Sequence, residues 1–77
     1  MPLYHFDVSY DRGAWSEDTE GVNLGNAKEA RHEAIGLVAD LGPDNFQSVR
    51  DIAVRVRDGV PEPLVIVRAA MTIEGRA

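Results

Sequence analysis

The chain has 77 residues, 13 of them acidic and eight basic, with a net charge of −5 at neutral pH and no cysteine. A chain of this length makes one small domain, residues 1–77. The absence of cysteine excludes disulfide staples and thiolate metal sites, and the acidic balance disfavours generic binding to a phosphate backbone.

Leu3 to Tyr10 alternates, with Tyr4, Phe6, Val8 and Tyr10 on one side and Leu3, His5, Asp7 and Ser9 on the other. This is the pattern of a half-buried strand. Asp11-Arg12-Gly13 reads as a turn, with glycine supplying the positive φ. A short second strand is expected at Ala14-Trp15-Ser16 or at Gly21-Val22-Asn23-Leu24. The acidic stretch Glu17-Asp18-Thr19-Glu20 reads as a solvated loop, and Trp15 as a lid on the core.

A helix follows. Asn26 is a good N-cap, and Glu29 completes a capping-box-like pair. Ala27, Ala30, Ala34, Leu37, Val38 and Leu41 recur at helical spacing and form one stripe. Leu37, Val38 and Leu41 are expected to dominate its burial, at about 1.5–3 kcal/mol each. Gly42 offers a left-handed stop and Pro43 blocks continuation. Phe46 is expected to plug the core edge.

Asp51 to Asp58 alternates again, with Ile52, Val54 and Val56 inward and Ala53, Arg55 and Arg57 outward. A turn at Gly59 to Pro63 leads to a last strand over Leu64 to Glu74. Residues directly opposite must share a face. Setting Arg57 against Ile66 would place Arg55 against Arg68, a like-charge pair. Setting Arg57 against Leu64 places Arg55 against Ile66 and Val54 against Val67, and this register is the expected one. The order of elements, ββαββ, predicts a two-layer α+β domain with one helix on a mostly antiparallel sheet.

The sheet face away from the helix should carry His5, Asp7, Arg55, Arg57, Arg68, Leu64, Ile66 and Thr72. It reads as a polar outer face whose arginines pair with Asp7 or Glu74. It also reads as a dimer or partner interface built on Arg55, Arg57, Arg68, Leu64 and Ile66, because Leu64 and Ile66 have no cover. Three arginines could alternatively hold an anion. No histidine has a second ligand at metal spacing, no serine sits in a nucleophile elbow, and no glycine pattern cradles phosphate. No metal and no cofactor are therefore expected. No apolar run approaches the ~20 residues of a membrane span, and the first residues lack a secretory pattern, so the expected location is the cytoplasm. Small domains without staples often oligomerise, which makes a homodimer a fair expectation.

Met1-Pro2-Leu3-Tyr4-His5-Phe6-Asp7-Val8 resembles the start of a family of small bacterial proteins of unknown function, M-P-x-Y-x-F-x-V. The chain is similar to that family also in Asp18-Thr19-Glu20-Gly21 (D-x-x-G), in Ala30-Arg31-His32-Glu33-Ala34 (A-x-x-E-A), and in the hairpin Val54-Arg55-Val56-Arg57-Asp58-Gly59. The resemblance implies an α+β domain and brings no activity or catalytic residue. In outline the strand-to-helix half is similar to HicB-type antitoxins, which neutralise a partner ribonuclease. The Met-Pro start resembles tautomerases that use an amino-terminal proline, which would make Pro2 a general base served by Arg12 or Arg50. The reading favoured by the residues is a non-enzymatic domain that binds itself or another protein.

Overall fold

The computed structural model describes residues 1–77. Its elements are β1 (Leu3–Tyr10), β2 (Val22–Asn23), α1 (Ala27–Asn45), β3 (Asp51–Arg57) and β4 (Val65–Ala70). The strands form one antiparallel sheet in the order β2-β1-β3-β4, and α1 packs on one face of it. This is the two-layer α+β arrangement that the order of elements implies. Alternation places Tyr4 and Phe6 of β1 and Val54 and Val56 of β3 under α1, where they bury with Ala30, Ala34 and Val38.

The helix starts as its cap residues dictate. The Asn26 side chain accepts from Glu29 N–H at 2.9 Å, and the Glu29 carboxylate accepts from Gly25 N–H at 2.6 Å. The burial is distributed differently from the expected stripe. Ala30 and Ala34 are fully buried, Leu37 and Leu41 only half-buried, and Ala27 exposed. The two alanines let the helix axis come close to the sheet, so the larger leucines end up on the flank.

The helix does not stop at Gly42 but continues through Pro43 to Asn45. Gly42 is helical, not left-handed. A Cβ there would meet the Phe46 ring at 3.3 Å, so glycine serves the return of Phe46 onto the last turn. The terminal carbonyls find other donors: Phe46 N–H bonds Gly42 O, and the Asn45 side-chain amide bonds Leu41 O, each at 2.9 Å. Proline removes only one N–H from this end, and these bonds offset that loss.

Other expectations also need correction. The positive φ angles of the first turn fall on Asp11 (51°) and Arg12 (57°), not on Gly13. Gly13 N–H closes that turn on Tyr10 O at 2.9 Å, and Asp11 is tied to β3 through its N–H to Asp51 O. Tyr10, expected on the core side with Tyr4, Phe6 and Val8, is 36 % exposed. The last strand ends at Ala70, not Glu74. Met71 N–H still bonds Arg50 O at 2.8 Å, but β3 begins at Asp51, so Thr72 to Glu74 have no ladder partner. The hairpin register is the expected one, with Arg55 opposite Ile66 and Val54 opposite Val67.

Candidate functional site

The face away from α1 divides into two unequal halves. Over β1 and β3 the chain covers itself. After the turn at Asp11-Arg12, Ser16 pairs with Val8 through bonds of 2.7 and 3.1 Å, and Val22 later pairs with Tyr4. Between these two bridges the segment Glu17 to Gly21 bulges out of the ladder. Beneath this loop Asp7 is fully buried; one pair further along, Ala53 is fully buried and Ser9 is 2 % exposed, with Ser9 Oγ donating to Gly13 O at 2.9 Å. The outward placement expected for Ala53 is therefore wrong in effect: it points away from the helix, but into its own chain.

Asp7 sits at the centre of the covered half. Period-2 geometry puts it opposite Arg55 and diagonal to Arg57 on the same face. Arg57 grips it with both Nε (2.6 Å) and a terminal nitrogen (3.0 Å), while Arg55 offers Nε at 2.8 Å and a terminal nitrogen at 2.7 Å. Asp18 N–H adds a bond of 2.9 Å. Burial by itself would raise the Asp7 carboxyl. The hydrogen bonds from Arg57, then the Asp18 amide and Arg55, outweigh it and hold the pKa at about 2. The same contact raises Arg57 above its ordinary value.

Asp18 is the second hub, and sequence reasoning placed it in a solvated loop. Its carboxylate accepts from Phe6 N–H at 3.1 Å, which the bulge leaves without a strand partner. It also accepts from Glu20 and Gly21 N–H, each at 3.1 Å, closing an Asx turn. Burial opposes its ionisation, but these amides prevail and lower its pKa. Its backbone oxygen receives Arg57 at 3.0 Å and lies 2.9 Å from His5 Nδ1. Gly21 completes the bulge at φ +76°, where a Cβ would meet Tyr4 O and Leu3 at about 3 Å. The D-x-x-G spacing was the visible signal for this device. Trp15 is not part of the core; its ring lies 4.5 Å from the Arg55 guanidinium.

The other half of the face, over β4, stays open. Leu64 is 38 % and Ile66 44 % exposed, and Arg68 is held by Asp51 at 2.5 Å. The residues proposed from sequence as one interface thus separate. Arg55 and Arg57 are engaged under the loop, Arg68 is bound to β3, Ile66 faces outward, and Leu64, just before β4, lines a shallow pocket with Ala27, Lys28 and Arg31 of α1. Pro2 precedes β1, whereas Arg12 and Arg50 lie beyond its far end. An eight-residue strand, about 27 Å long, stands between them. The pairing that a proline-based tautomerase needs is not brought together.

Chemically, the Asp7 cluster is closed. Both carboxylate oxygens are saturated by charged and amide donors, and no buried side-chain polar atom lacks a partner. No group of three or more His, Asp or Glu side chains converges. No helix is long and apolar enough to cross a membrane.

Fold and site together define a two-layer α+β domain with a self-clasped outer face and two open sheet edges, the two-residue β2 and the six-residue β4. The model of the family described as Domain of unknown function (DUF6894) matches residues 3–70, and the chain belongs to that family. No curated protein and no solved structure matches it.

Proposed function

We propose that this domain is a cytoplasmic, non-enzymatic protein-binding module whose contact surface is the β4 side of the sheet. One observation carries this reading: Leu64 and Ile66 remain exposed beside a strand edge with no neighbour, while the charged groups of the same face neutralise one another. Exposed bulky aliphatics next to an open ladder suit strand addition, in which backbone bonds give affinity and alternate side chains give selectivity. The arginines serve the fold in this reading, not a ligand.

The test is the size of the native species. In extract of the source cells, the wild-type domain should elute well above its 8.4 kDa mass. An Ile66→Lys variant, exposed and so tolerant of a charge, should shift toward that mass. A wild-type species that runs at monomer mass in both extract and concentrated purified form would overturn the proposal.

A further inference from the structure

The open edge of β4 has a hydrogen-bonding parity fixed by the rest of the sheet. Met71 N–H donates to Arg50 O across the β3–β4 ladder. By the alternation of an antiparallel pair, Val65, Val67 and Ala69 turn their amides toward β3, and Ile66, Arg68 and Ala70 turn theirs outward. Leu64 is already engaged, its N–H bonding Val56 O at 2.8 Å. The strand contains no proline and no lysine. Those are among the devices that keep edge strands of monomers apart. On the helix side the same edge borders an open apolar groove lined by Ile35, Val38, Phe46, Val67, Ala69 and Met71, and Ile35 is 46 % exposed.

We infer that β4 pairs antiparallel with β4 of a second copy, about a two-fold axis through Val67. This rests on the module reading above and names its partner. The axis stands perpendicular to the sheet, so helix-side residues face helix-side residues, and it must pass through a residue, not between two. Centred on Arg68, it sets two guanidinium groups against each other. Centred on Ile66, it calls on the Leu64 amide, which Val56 already holds. Centred on Ala69, it pairs only Arg68 to Ala70 within the strand.

Centred on Val67, it pairs Val65 through Ala69 and forms about four backbone bonds between Ile66 of one copy and Arg68 of the other. The Arg68 stem then lies over Ile66 and covers its exposed surface. The Ile35 flanks of the two helices approach the axis at the level of Val67. Two four-stranded sheets become one continuous sheet, and the open edges at its centre disappear.

Two opposite charges at one position test this. A charge at Ile66 would meet Arg68 of the second copy twice per dimer, by symmetry. At roughly 0.7 kcal/mol per cross-strand pair, Ile66→Lys should weaken dimerisation about tenfold in sedimentation equilibrium. Ile66→Glu should leave it unchanged or tighten it. The chain has no native cysteine, so Val67→Cys reports the register directly. An opposed pair outside the hydrogen-bonded sites has Cα atoms about 4.5 Å apart, within disulfide reach. Val67→Cys should oxidise to a covalent dimer, and Val22→Cys on the opposite edge should not.

A dimer that cross-links through Val22→Cys and not Val67→Cys would overturn the inference. So would equal weakening by both Ile66 variants. A purified protein that stays monomeric at millimolar concentration, yet runs large in cell extract, would overturn the second-copy assignment while leaving the module reading in place.

Discussion

Asp7→Ala should come close to unfolding the domain. The substitution removes a fully buried carboxylate and leaves Arg55, Arg57 and the Asp18 amide facing one another without their acceptor. Breaking a buried ion pair by deleting one partner costs about 3–5 kcal/mol, mostly through the charge left behind. At about 0.05–0.15 kcal/mol per residue, 77 residues hold only about 4–12 kcal/mol in all. Urea titration followed by far-UV circular dichroism and by Trp15 fluorescence measures the loss. Trp15 is the only tryptophan and lies over Arg55, so its emission reports the clasp itself. With a urea slope of about 1 kcal/mol/M, the midpoint should fall by about 3 M or more.

The same residue sets a pH dependence. Its folded pKa of about 2 lies below the ordinary 3.8, so the ionised form favours folding. Its contribution, about 2 kcal/mol, is complete above the ordinary value and is lost as pH falls from about 4 toward 2. A variant that loses less than about 1 kcal/mol at neutral pH would refute the reasoning, as would an acid limb unchanged from wild type.

Gly21→Ala should lose at least about 1–2 kcal/mol, since φ +76° disfavours a side chain and the Cβ would press on Tyr4 O; thermal melting checks it. Asp18→Ala should release the bulge, raising amide exchange at Phe6, Glu20 and Gly21 while β3 stays protected; unchanged exchange at Phe6 would contradict its role. Ala34→Asp puts a charge at a fully buried site under the sheet and should abolish the cooperative transition. His32→Ala, on the exposed side of the same helix, should stay within about 0.5 kcal/mol of wild type by denaturant melting.

Much of the fold was legible because period-2 and period-3.6 patterns are unmixed in β1, α1 and β3. The register followed from keeping Arg55 away from Arg68. The helix end misled because Gly42-Pro43 carries a stop signal that Phe46 overrides by packing on the glycine. The outer face was legible in part: Asp7, Arg55 and Arg57 fall on one side by alternation alone. What hid their closure was Asp18, an acid in an acidic stretch whose partners are backbone amides of β1 and of its own turn. Pairing between a loop carboxylate and a distant strand amide leaves no periodic trace. Leu64 and Ile66 are legible as bulky aliphatics near the end of a short chain with one helix to cover them, and both stay partly exposed beside the open edge.

Amide exchange along β4, measured by NMR at rising protein concentration, separates a paired edge from a bare one most directly. Val67 and Ala69 should be protected at every concentration by β3. Ile66 and Arg68 should exchange quickly when dilute and become protected together as the protein is concentrated. Fast exchange at Ile66 and Arg68 in the concentrated protein would contradict a contact surface on this edge.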